Sequence, residues 1–501
     1  MPWLEHSSFQ WIDWLIVILY LTGSLGLGIL VAKKVKTMTD FVCAGRNIGL
    51  FLGIASLAGT EMGLITIMYS AQKGFSGGFA AFHIALVAGF ACLLVGLTGF
   101  IVGPLREQKV LTIPEFYEKR FGADVRILGA IMLALGGILN MGLFLKVGAI
   151  FLVGITGSFS ELMPILLTGL LIVVLFYTCL GGMYSVIITD FIQFCVMALG
   201  LLMVVGFILT QVGLDMMFET VLAKKGIAGF DPLAQDSSFG PLYVLWMLFT
   251  AGLVSCAIWP TAVARALAMK SVKLVKKQYV FSSILFMIRF LIPYFIGIAA
   301  FVYFVSHTPA LNQAFLKQEL SSLYALPLFL KELLPVGLLG FFSAAMIAAF
   351  MSTHDGYLLC FSTVITQDIV APLLKKPLSE KTRIRFTRII IVIIGIYIWY
   401  WGLIYKGVDD VWDYMAITGA IYFTGAFSVL VGGLYWKKAS KMGARLALYS
   451  GLSALLGLGP VRQAVGLSHL TGAQIGLLTV LLSLTMMVLG SLTFPDKKEA
   501  Y

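Results

Sequence analysis

Apolar stretches long enough to cross a lipid bilayer recur along the whole chain, separated by short polar connections. A spanning helix needs about 20 mainly apolar residues. Thirteen windows meet that need, near residues 12–32, 47–72, 79–104, 127–156, 161–180, 185–212, 241–263, 279–305, 336–371, 389–405, 411–436, 443–461 and 473–494. With 60% hydrophobic and 12% charged residues, the expectation is an all-α polytopic membrane protein of about 13 transmembrane helices, because a helix satisfies its own backbone in lipid.

If successive spans alternate in direction, the connections form two sets. Twenty-six Lys and Arg fall in one set and seven in the other, while Lys146 and Arg289 lie inside spans. The asymmetry predicts an N-terminus outside and a C-terminus in the cytoplasm. It also accounts for the net charge of +11 through basic flanks facing anionic lipid, in a plasma (cytoplasmic or inner) membrane, and leaves nothing for a nucleic-acid partner. The six cysteines are scattered without CxxC or Cys/His spacing and read as small apolar residues. The opening MPWLEHSS carries an acid and lacks a basic n-region and a small-residue cleavage site, so the first span is expected to be a retained helix.

Loops are short except at 213–240 and 306–335, which predicts one membrane domain over 1–501 without a soluble enzyme attached, and no obligatory protein partner is evident. No nucleophile-base pair suggests catalysis. LPLFLKELLPVGLLG at 326–340 has the spacing of a short helix lying at the interface. LAGTEMG at 57–63 and TAGLVSCAIWPT at 250–261 put Gly, polar residues or Pro in the middle of spans and predict interrupted helices. Each opens a run of five spans, 47–212 and 241–436, and odd counts give the runs opposite orientation, as in inverted-repeat transporters. The span at 12–32 precedes them and two more, over 443–494, follow.

Residues 343–370, SAAMIAAFMSTHDGYLLCFSTVITQDIV, set a Ser-Thr pair, a His and an Asp inside an apolar span. An ionisable side chain there costs roughly 2.5–3.5 kcal/mol on insertion scales, which makes the segment a candidate site.

Four stretches together resemble the sodium/solute symporter family, whose members carry proline, sugars, pantothenate, choline or sialic acid. They are LTIPEFYEKRFG at 111–122, YTCLGGMYSVIITDFIQ at 177–193, AAFMSTHDGYLLCFSTVITQDI at 348–369 and GLYWKKASKMGA at 433–444. The resemblance implies an inverted five-helix repeat with broken first helices, one extra helix before it and two after. It implies a sodium site made of the carbonyls of Gly59, Met62 and Ala349 and the hydroxyls of Ser352 and Thr353. Positions 349, 352 and 353 share a helix face, and neutral oxygens suit a hard cation. Without the motif, the same hydroxyls would be expected to bond back to their own helix.

Asp190 matches an acid that some members use, with hydroxyls just past the Ser-Thr pair, to hold a second sodium. Here those positions are Asp355 and Gly356, so Asp190 and Asp355 are expected either to hold a cation or proton between them, or to pair structurally with Lys146, Arg289 or an Arg of a cytoplasmic loop. Glu61 belongs either to the substrate cavity or to an ion pair with Lys146. Tyr69, Trp246, Trp259, Thr261 and Tyr422 complete a candidate cavity wall. Sugar-carrying members of the family surround the sugar with polar side chains, and the eleventh span here offers Thr418, Tyr422, Thr424 and Ser428 but no Gln or Asn, so the resemblance implies an amino acid, organic amine or small carboxylate rather than a hexose.

The functional expectation is symport of a small organic solute with Na⁺ by alternating access, without an organic cofactor. The alternatives are proton coupling through Asp190 and Asp355, or an uncoupled sensor or channel. The charge asymmetry predicts that a reporter active only in the cytoplasm works when fused after residue 501 and fails when fused before residue 1; the reverse pattern would invert the orientation.

Overall fold

The computed structural model describes residues 8–32, 37–157, 163–374, 378–404 and 411–496. Among these the chain is built of helices, and its β-type pairing is one isolated bridge between Ile48 and Met269. The principal elements are α1 (Trp11–Ala32), α2 (Leu50–Glu61), α3 (Leu64–Gly77), α4 (Phe82–Thr98), α5 (Ala123–Met141), α6 (Phe144–Thr156), α7 (Met163–Gln211), α8 (Pro260–Ala268), α9 (Val272–His307), α10 (Leu338–Val364) and α11 (Val411–Tyr435).

Ten stretches of described residues are long and apolar enough to cross a membrane, against thirteen windows expected, and the difference has local causes. The 47–72 window is cut after Glu61, leaving α2 at 12 residues. Because α3 runs through a tight turn at Gly78–Ala81 into α4, Leu64–Thr98 forms one long apolar run. The 443–461 window breaks into Lys441–Ser450, a 3₁₀ turn over Gly451–Gly457 and Gly459–Ala464. The 161–180 window begins in residues outside the described set. It continues into the 185–212 window through Gly182, where φ is +55° and a Cβ would stand 2.6 Å from Phe41, so only glycine fits this redirection of α7.

Contacts with α9 give the direction of the first elements. Gln278 donates to the Gly53 carbonyl and Arg289 pairs with Glu61, so α2 runs parallel to α9. On α4, Gly89 lies against Ser283 and Met287 and Gly96 against Val280, so α4 runs back. The second expected interruption is present too. A π-helical turn at Leu248–Val254 and a non-helical Ile258–Trp259 precede α8, whose Pro260 at the first turn lacks the amide that a continuous helix would need. Thr261 meets Glu61 at one end of α8, and Ile48 exchanges backbone bonds with Ala268 and Lys270 at the other. The two interrupted helices therefore lie side by side and antiparallel.

Helix α10 is tied at both ends. Asp13 on α1 is fully buried, and its Oδ1 accepts the amides of Gly337 and Gly340 at 2.8 Å each, while Oδ2 takes the Gln10 amide. A carboxylate there satisfies orphan amides and opposes the helix dipole. Beyond the other end, a π-helical turn over Ile365–Val370 is held by Arg126, which bonds to Asp368 at 2.7 Å, to the Gln367 carbonyl at 2.9 Å and to Glu118. The 111–122 and 433–444 segments meet at the same end. Arg120 donates to the carbonyls of Lys437 and Ala439, and Asp124 pairs with Lys441 and Arg445.

One expectation needs revision. Arg265, one of the twenty-six basic residues assigned to connections, is 1% exposed inside the bundle. The short helix expected within 326–340 is present as Ala325–Leu333, with Ala325 to Lys331 buried against α3, α6 and α9. Lys33, Lys34, Lys36, Lys375, Lys376, Lys406, Lys497 and Lys498, part of the charge asymmetry, lie outside the described residues.

Replacing Asp13 with Ala is expected to strand two amides and cost about 1–3 kcal/mol. A lowered apparent melting temperature in detergent, with a smaller drop for Asp13→Asn, checks this; an unchanged value for both would refute the anchor.

Candidate functional site

The helix stops at Glu61 because Met62 leaves helical geometry (φ −96°, ψ 61°), and it restarts at Leu64. The last-turn carbonyls of α2 consequently lack the partners that a continuous helix would supply. Side chains from α10 take that place. Ser352 donates to the Gly59 carbonyl at 3.1 Å and to the Ala349 carbonyl at 3.2 Å, and Thr353 donates to the Thr60 carbonyl at 3.0 Å. Gly59, Ala349, Ser352 and Thr353 are thus brought into one cluster, and all are buried. Met62 is buried at the interruption itself, and neither hydroxyl bonds to its carbonyl; the Thr60 carbonyl is used instead. The cluster is a set of neutral oxygens, a donor set that suits a hard cation.

One turn away, Asp190 on α7 is fully buried, and a single oxygen accepts from Ser56 at 2.6 Å, Thr60 at 3.1 Å and Arg265 at 3.3 Å. The Arg265 guanidinium also donates to Thr60 at 2.5 Å. It lies over Gly356, where a Cβ would come within 2.8 Å of it. The structural alternative for Asp190, an arginine partner, is the arrangement seen. Asp355 is also fully buried on α10. Its neighbour His354 bonds through Nδ1 to the Phe350 carbonyl at 2.8 Å and packs between Phe350 and Phe144, as a core residue would.

Beside the Ser-Thr cluster is a cavity of about 90 Å³ into which Thr60 and Thr353 both face. Glu61, Tyr69 and Trp259 are among the residues that line it. Glu61 pairs with Arg289 at 2.8 Å, and Arg289 also donates to Ser255 at 2.6 Å. The guanidinium is flanked by the rings of Phe286 and Phe290, at 4.1 and 4.5 Å. Tyr69 meets Trp412 edge-on at 4.5 Å, and Trp259 donates to the Tyr357 hydroxyl at 2.8 Å. Thr261 stands behind the wall and donates to Glu61 at 2.9 Å.

Two aromatic expectations fail. Tyr422 is buried away from the cavity with its hydroxyl 3.3 Å from that of Tyr117, because Gly136 of α5 packs against its Cβ. Trp246 packs against Phe249, Phe423 and Gly476. Sequence reasoning overlooked Asn140, Tyr357 and Trp412 as cavity residues and took Arg289 only for a possible carboxylate partner. A lone arginine inside a span was the available signal.

The chain matches the sodium:solute symporter family over residues 41–451. It is 25% identical to the sodium/glucose cotransporter of Vibrio parahaemolyticus, covering 90% of this chain and 85% of that protein. To the sodium/sialic acid symporter NanT of Aliivibrio fischeri it is 24% identical, covering 99% and 95%, and to human sodium/myo-inositol cotransporter 2 it is 26% identical, covering 89% and 69%. Its fold is that of a Na⁺-coupled sialic acid symporter solved in a substrate-bound outward-open state, with a TM-score of 0.82 at 21% identity over 98% of this chain and all of that one. A looser likeness, TM-score 0.55 at 14% identity over 89% and 99%, links it to MhsT in complex with L-phenylalanine. Matched over most of its length, and helical with ten apolar membrane-length stretches among its described residues, this chain belongs to the sodium:solute symporter family.

Proposed function

We propose that this protein is a secondary active transporter of a plasma or inner membrane that carries one small organic solute inward together with Na⁺ by alternating access. The observation that carries the reading is the pair of hydroxyls on α10 bonded across the interruption of α2, Ser352 to Gly59 and Thr353 to Thr60. When the ion departs, these neutral oxygens return to hydrogen bonds with each other and leave no unpaired charge buried in the bundle, so an ion can enter and leave. Ala349, and Met62 at the break, complete the donor set in this reading. One Na⁺ crossing 100 mV supplies about 2.3 kcal/mol, enough for roughly fifty-fold accumulation.

The solute occupies the cavity lined by Glu61, Arg289, Tyr69 and Trp259. Thr60 and Thr353 belong to both places, which gives a direct route by which ion and solute favour each other's binding. Charged partners in the wall favour an amino acid, an organic amine or a small carboxylate over a hexose. Proton coupling through Asp190 is the weaker reading, because that carboxylate already has Arg265, Ser56 and Thr60 as partners.

Ser352→Ala and Thr353→Ala are each expected to abolish the stabilisation that Na⁺ gives over K⁺ in a thermal-shift assay, while the protein still reaches the membrane. Unchanged Na⁺ dependence in both variants would remove the site. In proteoliposomes carrying the wild-type protein, an imposed Na⁺ gradient is expected to drive accumulation and a proton gradient alone is not; equilibration without accumulation would indicate a channel.

A further inference from the structure

The cavity beside the ion cluster has a charge pattern that narrows its solute. Among the described residues lining it, Glu61 and Arg289 are the ionised ones, and they are paired with each other. Both are almost excluded from water, with side chains 8% and 4% exposed. Two buried polar atoms on residues that line the cavity have no hydrogen-bond partner: the Nε–H of Arg289, a donor, and Oδ1 of Asn140, an acceptor. The Asn140 amide nitrogen donates to the Met415 carbonyl and to the Thr418 hydroxyl, so only its oxygen is left over. The site thus offers a cation with a spare donor, an anion, a spare neutral acceptor and the rings of Tyr69, Trp259 and Trp412.

We infer that the solute is a small zwitterion carrying a carboxylate and an ammonium or quaternary ammonium group, an amino acid or a betaine. This rests on the transport reading given above and deepens it. A zwitterion replaces the Glu61–Arg289 pair with two intermolecular pairs and leaves no charge over. Its carboxylate takes Arg289 and its cationic end takes Glu61, assisted by the aromatic faces. A singly charged anion that claimed Arg289 would leave Glu61 buried and unpaired, and a singly charged cation would do the same to Arg289; that penalty is the large one for buried ions. A neutral polyol can hydrogen-bond to these groups but forms no ion pair, so it adds only neutral-to-charged hydrogen bonds to a Glu61–Arg289 pair that stays intact. Discrimination comes from what each wrong solute leaves unsatisfied.

The test uses the purified full-length protein and thermal shift in Na⁺ and in K⁺, with L-alanine and glycine betaine as zwitterions, propionate as anion, choline as cation and myo-inositol as polyol. At least one zwitterion is expected to stabilise the protein in Na⁺ with an affinity ten-fold or more above the other three classes. Glu61→Gln is expected to lower zwitterion affinity at least ten-fold and raise that of propionate, and Arg289→Gln to favour choline; if one variant does not fold, the other carries the comparison. Tighter binding of propionate, choline or myo-inositol to the wild type, no stabilisation by either zwitterion, or an unchanged preference in the folded variants would overturn the inference. Stabilisation by Na⁺ alone, and its loss in Ser352→Ala, is read in the same assay without solute, so a failure of the solute class is distinguishable from a failure of the ion site.

Discussion

Lipid cannot hydrogen-bond to a carbonyl, so a helix that stops inside a membrane must find other donors for the oxygens it frees. In this protein the donors are Ser352 and Thr353, reaching from α10 to the last turn of α2. Much else follows from that requirement. The two hydroxyls must be adjacent and on one helix face, α10 must lie within hydrogen-bond reach of α2, and the residues packed around them must exclude water. The ion-binding reading uses the same oxygens that the fold has to satisfy, so stability and transport draw on one set of bonds.

The second buried group of charges has a different character. Asp190, Arg265, Ser56 and Thr60 come from α7, α8 and α2, and they join the two interrupted helices to the rest of the bundle through one carboxylate oxygen and one guanidinium. Removing either ion would leave its partner buried and uncompensated. The missing side chain at Gly356 is what admits the guanidinium against α10. Where the resemblance suggested hydroxyls for another ion, this chain has space filled by a tethered cation.

Much of this was legible in the sequence. Apolar window length marked the helices, because the bilayer sets a length that folding cannot negotiate. Gly, Thr, Glu and Gly at 59–63 and Trp-Pro at 259–260 marked both interruptions, because these residues make a break cheap or a continuous helix impossible. The Ser-Thr pair was legible by its helix spacing and by the motif around it. What stayed hidden depended on partners distant in the chain. Arg265 looked like one more basic residue of a loop, since nothing local says that Asp190, 75 positions earlier, waits for it. Tyr422 looked like a wall residue because an aromatic in a polar-dotted span has no local mark of which face meets the cavity. Packing against Gly136 and Tyr117 decided that.

Helix α10 is moored at one end by Asp13, from a helix ahead of both five-span runs, and at the other by Arg126, from the start of α5. Both moorings are charge-assisted, one holding backbone amides and the other a carboxylate and a carbonyl. The half of the Ser-Thr cluster carried by Ala349, Ser352 and Thr353 is therefore held from both ends of its helix. The other half is carried by the last turn of a 12-residue helix that ends in open geometry at Met62 and has tethers of its own to Gln278, Arg289 and Asp190. Hydrogen bonds weaken steeply beyond ordinary length, so the bonds of Ser352 and Thr353 across the break survive only while α2 and α10, each anchored to different helices, keep their register.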